Sequence, residues 1–137
     1  MSESYDVPLE LIRLEHPLER FAGAIYARRA NVVAIGSSST RGAGASSQPW
    51  YYPSRLQTEL TTKFSRAFIE VQNKGVDGQE AGDELARFKN DVFALEPNLV
   101  IWQIGTNAIV KNYDFDEVKF AITRGLARLS GQHLDVI

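Results

Sequence analysis

Short apolar runs alternate along this chain with segments whose apolar residues recur at helical spacing. The clearest run, 32–35, stops at Gly36, as expected of a buried strand whose chain turns sharply at its end. The predicted helices are 17–28, a segment that begins at Pro53, about 80–95 and about 116–128; the predicted strands are 31–35, 67–72, 98–104 and a run that begins at Leu134. This alternation predicts an α/β fold in which helices cover both faces of a parallel sheet.

Each predicted helix carries its apolar residues on one face, which we expect to pack against the sheet. These residues are Leu18, Phe21, Ala22 and Ile25 in the first helix, Leu56, Leu60 and Phe64 in the second, Leu85, Phe88, Val92 and Leu95 in the third, and Val118, Ile122, Leu126 and Leu129 in the fourth. The run 98–104 is apolar on both faces and indicates a central strand. We divide the chain into an N-terminal extension with a helix, 1–30, and an α/β domain, 31–137.

The composition is that of an ordinary globular domain and argues against several classes of function. Of the 137 residues, 44% are hydrophobic and 23% charged, which suits one domain with its own core. A net charge of −2 without a basic run predicts no nucleic-acid partner. We see no apolar stretch long enough for a membrane span and no signal peptide, and the localisation stays open.

No metal or cofactor is predicted. The chain has two histidines and no cysteine, which leaves no cluster of metal ligands or thiolate chemistry. Gly42 and Gly44 resemble the start of a dinucleotide loop, but Ser47 stands at the third glycine position, and no phosphate-loop lysine follows Gly36.

Three loops follow predicted strands, and their residue types suit acyl transfer. The first loop contains Gly36 and the serines 37–39, the second contains Gly75 and Gly78, and the third is Gly-Thr-Asn at 105–107. Because the carboxyl ends of parallel strands meet at one edge of a sheet, we expect these loops to lie together. A serine hydroxyl can act as nucleophile, and backbone N–H groups with an asparagine amide can stabilise the oxyanion.

These three blocks resemble those of the SGNH (GDSL-type) hydrolases, which are serine esterases and lipases on a three-layer αβα, flavodoxin-like fold. Their Gly-Asp-Ser block is similar to 36–38 here, their Asn-x-Gly-x-x-Gly turn to 73–78, and their Gly-x-Asn-Asp block to 105–108. The resemblance implies that Ser38 is the nucleophile and one oxyanion donor, Gly78 the second donor and Asn107 the third. It also implies a small-molecule ester as substrate.

The chain departs from the family pattern at several positions. Ser37 and Ala108 replace the aspartates of the first and third blocks, and the Asp-x-x-His motif that supplies the base occurs nowhere. Neither His16 nor His133 stands in such a motif, and His133 precedes the last strand, at the wrong edge of the sheet. We therefore expect an SGNH domain that is incomplete at its C-terminal end. A second polypeptide, or a copy of the chain that swaps elements, would supply the remainder.

Other interpretations stay open for the same residues. Taken alone, the serines 37–39 form an ordinary polar loop, Gly75 and Gly78 are turn glycines, and Asn107 is a helix cap. Trp50 and Tyr51 either line a substrate pocket or pack on the neighbouring helix. The chain as a whole is predicted to be most of a carboxylic-ester hydrolase, with a catalytically inactive SGNH-fold binding module as the alternative.

Overall fold

The computed structural model describes residues 6–137. Its strands are β1 (Arg29–Gly36), β2 (Phe68–Gly75), β3 (Leu99–Trp102) and β4 (Asp135–Val136). They form one sheet in the order β2-β1-β3-β4, and every neighbouring pair is parallel. This arrangement confirms the predicted α/β fold with a parallel sheet.

Eight α-helices occur in the described residues. They are α1 (Leu9–Ile12), α2 (Glu19–Tyr26), α3 (Ser38–Arg41), α4 (Tyr52–Lys63), α5 (Ala81–Ala86), α6 (Phe88–Asp91), α7 (Thr106–Val110) and α8 (Phe115–Ser130), with 3-10 turns at Gln48–Trp50 and Phe93–Leu95. None of these helices is long and apolar enough to cross a bilayer.

The helices cover the sheet on both faces, as the alternation of elements predicts. On one face, α5, α6 and α8 bury Phe88, Val92 and Leu129 against Val33 and Val100. The other face buries a second set of residues from α2, from the three strands β1, β2 and β3, and from the residue before β2. They are Phe21, Ala24, Ala30, Val32, Ala67, Ile69 and Leu99. Leu60 of α4 and Phe64, which follows α4, pack against this set. The result is three layers, with the central strands β1 and β3 almost fully buried.

The prediction of one continuous helix over 80–95 is wrong. The structure divides it at Arg87 into α5 and α6, because the Arg87 N–H caps the end of α5 while its side chain reaches across to the ends of β1 and β2. Its apolar face is nevertheless directed as predicted, with Phe88 and Val92 fully buried.

The predicted inward position of Leu126 is also wrong, because Leu126 is 47% exposed. Gly125 faces the sheet in its place, and a Cβ there would lie 2.3 Å from the Trp102 ring. The bulky indole occupies the space between α8 and β3, so the helix approaches it with a residue that has no side chain.

Candidate active site

The three predicted loops emerge at one edge of the sheet. Gly36, at the end of β1, stands opposite Gly75 at the end of β2, while Ile35 stands opposite Trp102 at the end of β3. Ser38 begins α3 directly after β1, Gly78 follows β2 by three residues, and Asn107 lies in α7 after β3.

The two serines at the start of the first loop have different surroundings. Ser37 is buried, and its N–H and hydroxyl both donate to Gln103 Oε1, at 3.2 and 3.1 Å. Ser38 is half-buried. Because the Ser37 N–H can only donate, the oxygen of the Gln103 amide must face it. Ser37, which stands at the position of the aspartate in the related blocks, therefore ties the loop to the residue that follows β3.

Gln103 joins the first loop to the third. Its Oε1 also accepts from Thr40 Oγ1 at 3.1 Å, and its Nε2 donates to Thr106 Oγ1 at 3.4 Å. A Cβ on Gly36 would lie 2.8 Å from Gln103 Oε1 and 2.3 Å from Thr40 Oγ1, so only glycine fits between them. Sequence reasoning missed Gln103, although a single polar residue inside the apolar run 99–104 was the available signal.

The second loop is fixed to the first by hydrogen bonds to two main-chain carbonyls. Asn73 Nδ2 donates to the Arg41 carbonyl at 3.3 Å, and Val76 N–H donates to the Gly36 carbonyl at 3.0 Å. A Cβ on Gly75 would lie 2.1 Å from the Arg41 nitrogen, so this glycine permits α3 to rest on the end of β2. Arg41 also forms an ion pair with Asp77.

Asn107 is linked to the second loop through Gln79, the residue that follows Gly78. Asn107 Nδ2 donates to the Gln79 carbonyl at 2.9 Å, and Lys111 Nζ donates to the Gly78 carbonyl at 3.2 Å. Gly78 has φ +76°, a left-handed conformation that glycine adopts readily. An asparagine amide has two N–H groups, so one can hold the loop while the other serves a ligand.

Ala108 takes the place of the aspartate that follows the asparagine in the related third block. It is buried, with 1% exposure. A methyl group at this position packs without needing a hydrogen-bond partner, whereas a carboxylate there would need one.

The aromatic residues near the first loop have unequal exposure. The Tyr51 ring lies against Gly42, where a Cβ would come within 2.4 Å of it. Trp50 is 60% exposed, with the Arg55 guanidinium 5.3 Å from its ring centre. Tyr52 lies 3.4 Å from Thr40 Oγ1; burial raises the pKa of its phenol above the ordinary 10.0, an effect that the hydrogen bond with Thr40 opposes.

Both histidines of the sequence lie at the other edge of the sheet. His133 lines a cavity with Pro97 and Asn98, which precede β3. His16 lines another with Leu134 and Asp135, where β4 begins. Within residues 6–137 there is also no group of three metal-binding side chains. The loops around Ser38 therefore receive no imidazole from the described residues.

A model of the non-GDSL lipase-like family matches residues 4–137. No curated protein matches the chain.

Three solved structures illustrate the likeness. A protein described as lipolytic and of the G-D-S-L family, from Desulfitobacterium hafniense DCB-2, is 28% identical with a TM-score of 0.66 over 78% of this chain and 57% of its own. AlinE4, an SGNH-hydrolase family esterase, is 26% identical with a TM-score of 0.66 over 79% and 57%. A mutant of Axe2, an acetylxylan esterase from Geobacillus stearothermophilus, is 22% identical with a TM-score of 0.67 over 78% and 57%, and shows the fold alone. The chain thus spans little more than half the length of each.

Proposed function

Because the chain belongs to the non-GDSL lipase-like family, we propose that it provides the nucleophile and oxyanion hole of a carboxylic-ester hydrolase. The fold is that of SGNH hydrolases. The observation that carries the proposal is the joining of three loops at one edge. Val76 binds the Gly36 carbonyl beside Ser38, and Asn107 binds the Gln79 carbonyl beside Gly78.

In the proposed reaction, Ser38 Oγ attacks the ester carbonyl and loses its proton to a base. The N–H groups of Ser38 and Gly78 and the free N–H of the Asn107 amide stabilise the oxyanion of the tetrahedral intermediate. Collapse expels the alcohol, which takes up the proton, and leaves an acyl-serine. Water then attacks this second ester by the same route and releases the acid.

The base in this scheme comes from outside the 137 residues. The two histidines of the sequence lie near the starts of β3 and β4, away from Ser38, and the chain covers only 57% of each of two relatives of known structure. We propose a histidine in a further segment, in a second polypeptide or in a swapped copy. Without it, turnover should fall by about 10⁴–10⁶.

Trp50 and Tyr51 are proposed to contact the substrate. The support is positional: Tyr51 packs on Gly42, just beyond α3, and the exposed Trp50 ring offers an apolar surface beside it. An ester group with an apolar or ring-shaped part would bury against that surface.

The test is hydrolysis of p-nitrophenyl acetate by the chain with imidazole added as an external base. Imidazole catalyses this reaction alone, so the measured quantity is the rate difference between the wild-type chain and Ser38→Ala. We expect an imidazole-dependent excess that Ser38→Ala abolishes and Ser39→Ala, a change at the exposed neighbour, retains. An excess that survives Ser38→Ala would remove Ser38 from its role. No excess at all would favour the binding module, in which Ser37 and Ala108 reflect lost catalysis.

A further inference from the structure

Arg87 sits at the break between α5 and α6, beneath the loops of the candidate site. Its side chain is only 15% exposed, although arginine is rarely buried without partners. The Nη1 atom donates to Asp91 Oδ2 at 2.8 Å. This ion pair neutralises the charge of the guanidinium. We therefore do not assign Arg87 to direct stabilisation of the oxyanion.

The remaining nitrogens of Arg87 bind the first two loops. Nη2 donates to the Lys74 carbonyl at 2.7 Å and to the Gly36 carbonyl at 3.2 Å, which lie where β2 and β1 end. A carbonyl oxygen can accept two hydrogen bonds, and that of Gly36 accepts from the Val76 N–H as well as from Arg87. One planar group therefore fixes the spacing between the two strand ends.

Arg87 reaches the third loop through a side chain and a peptide group. Its Nε donates to Gln79 Oε1 at 2.6 Å, while the carbonyl of Gln79 accepts from Asn107 Nδ2 at 2.9 Å. Gln79 thus binds Arg87 through its side chain and Asn107 through its main-chain carbonyl. Gln79 directly follows Gly78 in the chain, so the same contacts also bear on the position of the Gly78 peptide group.

We infer that Arg87 is a positioning residue, which holds the Gly78 N–H and the Asn107 amide at their distance from Ser38. The inference rests on the proposed function for its catalytic meaning. Lysine cannot replace arginine here, because one ammonium cannot reach two carbonyls, an amide oxygen and a carboxylate in fixed directions. A displacement of about 1 Å in such donors lowers turnover by about 10²-fold.

The first experiment follows the Asn107 side-chain amide and the Gly78 N–H by NMR in the 137-residue chain. Arg87→Lys is expected to shift both signals, because the contact with Gln79 that supports both groups is lost. Arg128→Lys is the matched control, because Arg128 Nη1 also donates to a carbonyl, that of Leu85, on the same face of the sheet but touches none of the loops. Arg128→Lys should leave both signals in place.

Two further variants keep the test decisive if Arg87→Lys fails to fold. Gln79→Ala removes only the side-chain link and is expected to move the Asn107 signal in the same direction. Asp91→Asn removes the ion pair but keeps the loop contacts, and is expected to leave both signals nearly unchanged. Unchanged Asn107 and Gly78 signals in Gln79→Ala, or in a folded Arg87→Lys, would overturn the inference.

Kinetics separate this role from general stability. In the imidazole assay, Arg87→Lys is expected to lower the Ser38-dependent kcat about 10–100-fold with KM within about threefold. A folded Arg87→Lys with wild-type kcat would also overturn the inference. If the wild-type chain shows no Ser38-dependent hydrolysis, the proposed function fails, and the NMR result still decides whether Arg87 holds the loops.

Discussion

Replacing Glu84 with glutamine should stabilise the protein at alkaline pH and leave its stability in acid nearly unchanged. Glu84 is a carboxylate side chain on α5 with 1% exposure, and its Oε2 accepts a hydrogen bond from Trp102 Nε1 at 2.7 Å. Burial raises the pKa of this carboxyl from 4.5 to about 7. The Trp102 bond and the Arg87 charge act in the opposite direction, while Glu80 and Asp83 reinforce the increase.

The sign of the effect follows from which state releases its proton first. The unfolded chain loses the Glu84 proton near pH 4.5, whereas the folded protein retains it until about pH 7. Between these values the folded state binds more protons, so the free energy of unfolding falls as the pH rises. A difference of about 2.5 pH units corresponds to about 3 kcal/mol lost by pH 8 or above. Glutamine, which resembles the protonated acid, never incurs this loss.

The assay is urea unfolding of wild-type and Glu84→Gln chains at pH 4.5, 6, 7 and 8.5. A gain of about 3 kcal/mol shifts the midpoint by about 1.5 M for a slope of about 2 kcal/mol/M. Glu70→Gln controls for the loss of a charge, because Glu70 is exposed on β2. The reasoning would be refuted if the difference between Glu84→Gln and the wild type were the same at every pH, since Glu84 would then titrate alike in both states.

Four other substitutions test the site and the packing that supports it. Asn107→Ala is expected to lower the Ser38-dependent kcat about 10²–10³-fold and to cost about 0.5–1.5 kcal/mol of stability through its lost bond to Gln79; an unaltered kcat would exclude Asn107 from the oxyanion hole. Gln103→Leu leaves the buried Ser37 N–H without its acceptor and should cost about 1–3 kcal/mol in the free energy of unfolding, measured by urea unfolding; wild-type stability would contradict it. Gly125→Ala places a Cβ against the Trp102 ring and should cost about 1–3 kcal/mol. Gly23→Ala, where a Cβ meets nothing within 4 Å, should instead stabilise by up to about 1 kcal/mol; equal effects of the two alanines would refute the packing argument.

The sequence was informative wherever local pattern and tertiary structure agree. The apolar run 32–35 ends in a glycine because a strand turns there, and the structure has β1 ending at Gly36. Parallel pairing then brings the ends of β1, β2 and β3 to one edge, so residues far apart in the chain could be grouped before their contacts were known. The roles given to Ser38, Gly78 and Asn107 stay predictions.

The features that the sequence pattern did not predict depend on contacts between residues far apart in the chain. The break at Arg87 lies inside a segment of good helical periodicity, and it arises from carbonyls on β1 and β2. Glu84 follows no apolar pattern, yet it is buried because Trp102 supplies a donor at the end of β3. Helical spacing alone predicts that Leu126 faces inward, because the spacing does not reveal that the Trp102 ring fills that space.

The most direct test of the account is the site of covalent modification by a reactive phosphonate ester. The chain is incubated with ethyl p-nitrophenyl methylphosphonate and imidazole, digested and examined by mass spectrometry. We predict one ethyl methylphosphonyl group on Ser38, absent from Ser38→Ala and present in Ser39→Ala. Modification at another serine, or equal modification of the Ser38→Ala chain, would contradict the assignment of Ser38 as the nucleophile.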